Sequence, residues 1–327
     1  MSTDPNPTSS LIKTRFLILS DTHSASPSSS NNASPFRLPL PRADVLLHCG
    51  DLTMAGHLHE YDATLAMLGA IDADLKLVIA GNHDISLDEQ FYRRRGQSMQ
   101  GLERPDPDMY AKAREMWTGE RARRAGVTFL DEGVWGFVLG NGARLRVYAS
   151  PYQPEFCDWA FPYNRTQDRF NPAHSCSPGA ESIATNPVPD FPTVDVVMTH
   201  GPPLGIRDET ALEKQAVGCE HLLRAVGRCR PRLHCFGHIH EGWGAERVVW
   251  GEGDGRVMGK EEVLVDREKV EREKVEREGA AFVDARELVF GKETLMVNAS
   301  IMTVGYEPVQ GPWVVDLDLE RAVQGEE

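Results

Sequence analysis

Short aliphatic and β-branched runs, bounded by Gly, Pro or Asp, alternate along the chain with stretches in which apolar residues recur every three or four positions. That rhythm predicts a layered α/β architecture. Strands are expected at Arg15 to Leu19, Val45 to His48, Leu75 to Ile79, Arg144 to Ala149, Val194 to Met198, Arg232 to Phe236 and Leu295 to Asn298. Leu58, Tyr61, Leu65 and Leu68 fall on one face of a helix. Met109 to Ala125, with Asp108 placed to cap it, and Glu220 to Val226 repeat the pattern less clearly. An Asn141-Gly142 step between Val134 to Leu139 and Arg144 to Ala149 reads as a tight hairpin turn. The sheet is therefore expected to be mixed.

Three segments break the rhythm. Residues 24–42 are Ser/Asn/Pro-rich and read as a mobile loop, and 171–193 form a second Pro-rich excursion, neither with the apolar content of a core. Residues 244–293 read as a charged insertion. Within it Arg-Glu-Lys-Val-Glu occurs twice from Arg267 to Glu276, so Val265, Val270 and Val275 step ~140° apart around a helix and form no stripe. Glu268 with Arg272 and Glu273 with Arg277 pair at i,i+4, which suits a solvated helix. A partner-binding arm and a passive surface insertion both fit this text.

The remaining bounds are a flexible N-terminus at 1–13, a single domain at 14–320 and an acidic tail at 321–327. Forty-one per cent apolar residues in 327 suffice for a large buried core. No run approaches the ~18 apolar residues of a membrane helix, and Met1 to Ser10 lacks the basic start and apolar middle of a secretory leader. A cytoplasmic protein is expected. Six cysteines without a C-x-x-C pair then read as buried thiols. With 35 basic and 49 acidic side chains the formal charge is −14, which argues against long nucleic acid as a partner.

The chemistry lies at the strand ends. Asp21-Thr22-His23, Gly50-Asp51, Gly81-Asn82-His83-Asp84, His200-Gly201-Pro202 and Gly237-His238-Ile239-His240 each follow an apolar run. Beyond the strand ends of an open α/β sheet lies the crevice where ligands bind, so these motifs can converge. Each alone is commonplace as a cap or turn. Yet residues i and i+2 at a strand end point the same way, which lets Asp21 and His23, or His238 and His240, chelate together. Carboxylate and amide oxygens mixed with imidazole nitrogens suit Mn, Fe or Zn.

These motifs, in this order, resemble the calcineurin-like metallophosphoesterase superfamily. Ser20-Asp21-Thr22-His23, Gly50-Asp51-Leu52-Thr53, the run from Ser150 to Phe161, Thr199 to Gly205 and Phe236 to Gly242 resemble more narrowly the branch of metallophosphoesterase domain-containing proteins, associated with cyclic-nucleotide phosphodiesterase activity. The resemblance implies a four-layer αββα sandwich with two mixed β-sheets. It further implies two metal ions, one held by Asp21, His23, Asp51 and His240 and the other by Asp51, Asn82, His200 and His238, with Asp51 bridging and an intervening hydroxide attacking phosphorus. His83 would give a proton to the leaving alkoxide. Asp84 either orients His83 or caps the following turn, and His48 either hydrogen-bonds a ligand or is a satisfied core histidine. His57, His59, His174, His221 and His234 stand in no motif.

Phosphoprotein phosphatases of this superfamily carry Gly-Asp-x-Val-Asp-Arg-Gly, whose Arg clamps a dianionic monoester, and here Ala55 stands in its place. A monoanionic diester needs no extra guanidinium, so a small phosphodiester is the expected substrate. Tyr152, Phe156 and Trp159 are available to stack on a base or to pack their own loop, and His200 to Asp208 are placed to line the pocket. A nuclease, a phosphomonoesterase and a noncatalytic metal-binding scaffold are the alternatives, and the oligomeric state is open.

Overall fold

The computed structural model describes residues 11–28, 35–253, 255–263 and 279–323. The solvated helix expected around the repeat Arg267 to Glu276 with its ion pairs, the first ten residues, 29–34 of the expected mobile loop and 324–327 of the expected acidic tail lie outside the described residues. The strands run β1 (Leu11–Leu19), β2 (Ala43–His48), β3 (Ala73–Val78), β4 (Val127–Phe129), β5 (Gly133–Val138), β6 (Arg144–Ser150), β7 (Gln153–Pro154), β8 (Pro162–Tyr163), β9 (Gln167–Asp168) and β10 (Glu181–Ser182). They continue with β11 (Val196–Thr199), β12 (Leu233–Phe236), β13 (Gly244–Trp250), β14 (Val257–Val263), β15 (Ala281–Asp284), β16 (Glu293–Asn298) and β17 (Trp313–Glu320). The main helices are α1 (Leu58–Ala70), α2 (Glu89–Phe91), α3 (Gln97–Met99), α4 (Met109–Thr118), α5 (Glu120–Ala125) and α6 (Glu220–Cys229).

Two large sheets result, ordered β15-β17-β1-β2-β3-β4 and β14-β13-β16-β12-β11-β6-β5. Both are mixed: β1, β2, β3 and β4 run parallel beside the antiparallel β17, and β6, β11, β12 and β16 run parallel between the antiparallel β5 and β13. Alternation along the strands sorts their side chains into layers. Phe16, Ile18, Val45 and Leu47 of the first sheet meet Val196, Met198, Leu233, Cys235, Leu295 and Val297 of the second in a shared core. Leu17, Leu19 and Leu46 face the other way, onto Tyr61, Leu65 and Leu68 of α1 and Trp117 of α4. Val197, Phe236 and Met296 turn outward onto Leu222, Ala225 and Val226 of α6. The chain is thus an αββα sandwich, as expected.

Several details differ from the expectation. The helix over 109–125 breaks at Gly119, where a Cβ would stand 2.4 Å from the Glu115 carbonyl oxygen. Asp108 has helical backbone and makes no side-chain cap; Asp106 does the local work by accepting from Asp108 N at 3.0 Å and from Lys112 Nζ at 2.7 Å. The stretch 244–293 contributes β13 and β14 to the second sheet and β15 to the first. Its charged side chains suggested an insertion because β14 is an edge strand, where charge guards against further pairing. The loops expected to lack core anchors have them: Phe36 and Leu40 pack under the first helical layer, and Val188 packs with Phe170 against α6. Leu11 to Lys13, expected to be flexible, pair with Glu320 to Asp318.

Candidate metal centre

Parallel strands in register deliver their C-terminal ends to one edge: Leu19 lies beside His48, and His48 beside Val78. Asp21, Asp51 and Asn82 follow these strands; His200 and His238 follow β11 and β12 of the opposite sheet. At the seam the chain turns sharply. Asp21, His23, Asp51 and His238 have φ of 55, 44, 53 and 67°, a left-handed conformation that costs a non-glycine residue of order 1 kcal/mol. Three glycines allow the close approach. A Cβ on Gly50 would lie 2.7 Å from His200 Nδ1, one on Gly81 2.4 Å from Asp51 Oδ1, and one on Gly237 2.0 Å from Asp21 Oδ2.

Asp21, His23, Asp51 and His240 each bring a donor atom within 4.8 Å of the others, and so do Asp51, His200 and His238. Asp51 belongs to both groups: its Oδ2 is 3.7 Å from His23 Nε2 and its Oδ1 3.4 Å from His200 Nε2. Asn82 Oδ1 lies 2.8 Å from His200 Nε2 and so joins the second group. Asp21 Oδ1 is 3.3 Å from His240 Nε2, and its carboxylate also accepts from His238 N and from Ser300 Oγ at 2.9 Å. Every metal-ligating residue expected from the sequence is therefore brought to one place.

The imidazoles are aimed by backbone carbonyls. His23 Nδ1 donates to Thr53 O at 2.9 Å, His200 Nδ1 to Cys49 O at 2.9 Å and His240 Nδ1 to Thr303 O at 3.0 Å. A carbonyl only accepts, so each ring carries a hydrogen on Nδ1 and turns Nε2 inward. His23 Nε2 is buried and has no hydrogen-bond partner among the described residues. Burial pushes His23 down to about 4 and His238 down to about 3, keeping both neutral. Burial would push Asp51 up, but His200 first and then His83 hold it well below the usual carboxylate range. Burial likewise opposes a charged His200, which Asp51 nevertheless carries up to about 9. Two buried carboxylates thus demand positive charge from their surroundings. An orphaned imidazole nitrogen and this demand both fit hard or borderline cations.

His83 stands beside the cluster. Its N donates to Asp51 Oδ1 at 2.8 Å and its Nδ1 to Met54 O at 2.7 Å, leaving Nε2 toward Tyr306 Oη at 3.4 Å. Trp159 stacks on its ring, 3.9 Å between centroids, and so spends one face on His83. Phe156 is 55% exposed at the rim, edge-on to His238 at 5.8 Å. Tyr152 points elsewhere: the Arg169 guanidinium covers its ring at 3.3 Å in a separate cavity of about 850 Å³. Its stacking on a substrate at this site is not what its position allows.

Asp84 fills neither role expected of it. It stands at the N-cap of the turn Ile85–Leu87 but its side chain makes no cap bond there, and His83 turns to Met54 instead. Its Oδ1 accepts from Thr53 N and Oγ1 at 3.1 and 2.8 Å, and its Oδ2 from Leu52 N and Gly81 N at 3.1 and 2.8 Å. It staples the loop carrying Asp51 to the loop carrying Asn82. Burial and the Asp51 charge push its carboxyl up to about 7, against the pull of the donors from Gly81, Leu52 and Thr53. His48 reaches Thr22 Oγ1 at 2.9 Å, between Asp21 and His23, rather than hydrogen-bonding a metal-ligating side chain among the described residues; His234 makes the matching bond to Thr199 at 2.9 Å in the other sheet. Sequence reasoning missed Ser300 and Tyr306, which come from the turn after β16 and stand in no spacing pattern.

One carboxylate set between two groups of imidazoles suits a pair of cations, the working unit of two-metal hydrolases. The calcineurin-like phosphoesterase family matches residues 14–242, and the chain belongs to that family. It is 31% identical over 316 residues to metallophosphoesterase domain-containing protein 1 of Homo sapiens, covering 94% of this chain and 72% of that protein. It is also 31% identical over 216 residues to UPF0046 protein T07D4.2 of Caenorhabditis elegans, covering 63% and 48%. Among solved structures, a purple acid phosphatase from yellow lupin seeds aligns at 13% identity with a TM-score of 0.37, covering 90% of this chain and 45% of that one. The family makes the chain a metal-binding phosphoesterase. Among the described residues no helix is long and apolar enough to cross a membrane.

Proposed function

We propose that this chain hydrolyses phosphodiester bonds of small, cyclic-nucleotide-like substrates, using two transition-metal ions drawn from Mn, Fe and Zn. The single observation behind the reading is that Asp51 serves both donor groups. Asp21, His23, Asp51 and His240 would hold one ion, and Asp51, Asn82, His200 and His238 the other. Such ions lower the pKa of bound water toward neutrality and neutralise phosphoryl charge.

The rest falls to the chain. His83, with Nδ1 fixed on Met54 O, presents Nε2, and a proton there passes to the leaving alkoxide oxygen to give the alcohol. Trp159, stacked on one face, and His23, edge-on with 4.6 Å between ring centroids, hold that ring in place. Ala55, where a monoester clamp would stand, favours a singly charged diester. Phe156 at the rim offers an apolar face to a base. Six unpaired thiols support a reducing, cytoplasmic setting.

Asp51→Asn and His238→Ala should each reduce turnover of bis(p-nitrophenyl) phosphate by more than about a hundredfold, since even groups that merely support a metal ligand cost 10- to 100-fold. Turnover unchanged in both variants would refute the assignment.

A further inference from the structure

Tyr306 is a group at the site that no step above uses. It follows β16 on a turn with φ of 58°, rare for a side chain of this size. The turn is pinned: Tyr306 N donates to Thr303 O at 2.9 Å, Thr303 N to Glu307 O at 2.9 Å, and Glu307 N to Thr303 Oγ1 at 3.3 Å. The same Thr303 carbonyl orients His240. One peptide oxygen therefore fixes both a metal-ligating ring and the backbone of Tyr306.

The phenol ring stands edge-on to His23, His240 and His83, with centroids 4.9, 5.5 and 6.0 Å away. It is 42% exposed, so the residue borders both the first donor group and solvent. Its hydroxyl meets His83 Nε2 at 3.4 Å, the outer limit of a hydrogen bond, and so has capacity for a better partner. A substrate whose leaving oxygen meets His83 Nε2 brings its phosphoryl group within reach of this hydroxyl. A phenol supplies a donor without a full charge, which suits a monoanion.

We propose, resting on the phosphoesterase reading above, that Tyr306 is a substrate-contacting residue whose hydroxyl donates a hydrogen bond to a phosphoryl oxygen. Tyr306→Phe keeps the ring and its contacts with the histidines and removes only the donor. Wild type and variant, both reloaded with Mn, are compared by calorimetric titration with inorganic phosphate, by kcat/KM on bis(p-nitrophenyl) phosphate and by metal content. The phosphate Kd should rise and kcat/KM should fall by about tenfold each, the size of one hydrogen bond, with metal content unchanged. Values within about twofold of wild type on both measures, or a parallel loss of metal, overturn the proposal. Tyr306-dependent phosphate binding without diester cleavage in wild type would uphold this contact and reject the phosphodiesterase reading. No phosphate binding in wild type would reject the contact.

Discussion

Asp84→Asn tests the staple beneath the centre. Both carboxylate oxygens of the buried Asp84 accept from two donors each. An amide is isosteric but carries two N–H groups on one side. If they face Leu52 and Gly81, two backbone N–H groups lose their acceptor; if they face Thr53, its N–H does, while its hydroxyl can turn to His83 O at 3.3 Å. Each buried donor left unsatisfied costs about 1–3 kcal/mol, so the variant, which takes the less costly orientation, should lose about 1–3 kcal/mol. Because the same bonds set the loops of Asp51 and Asn82, metal retention should fall as well. Thermal unfolding by circular dichroism and metal analysis of the purified protein measure the two effects. A melting temperature within a degree of wild type, with full metal content, would show that the staple holds nothing in place.

Gly237→Ala would put a methyl group 2.0 Å from Asp21 Oδ2 and 2.2 Å from Ser20 Oγ; the first donor group should lose its ion, giving about half the wild-type metal content, and full content would refute the steric argument. Burial pushes His234 down to about 3, below its unfolded value near 6.5. On acidification the unfolded chain therefore takes up a proton that the fold refuses, and stability drops by about 1.4 kcal/mol per pH unit between roughly pH 6.5 and 3. His234→Gln should flatten part of that acid limb in denaturation curves taken from pH 7 to 4, and an identical slope would count against it.

The ligands were legible because each stands directly after a strand that announces itself: Phe16 to Leu19 leads to Asp21, and Leu233 to Phe236 leads to His238. Asp84 was visible as a residue but not as a staple, because its partners are backbone N–H groups of two loops, and spacing does not encode them. Tyr306 and Ser300 gave no sign, since only the pairing of β16 between β12 and β13 brings their turn to the seam. The edge strand β14 was hidden by its own exposed Met258 and Glu261, which read as surface text. The separate cavity beside Tyr152 had a similar cause, since the Arg169 that covers the ring lies 17 positions further on and is anchored by Glu132 at 2.8 Å.

Strand β1 lies between β2, which the chain reaches within some thirty residues, and β17, which forms only from Trp313 onward. During synthesis, then, the carboxylate at the end of β1 leaves the ribosome long before its strand gains its second neighbour. Such long-range closure makes for slow folding. Until β17 emerges, Asp21 rests on a strand paired on one side only, so the first donor group should gain its final geometry only after β17 has been made.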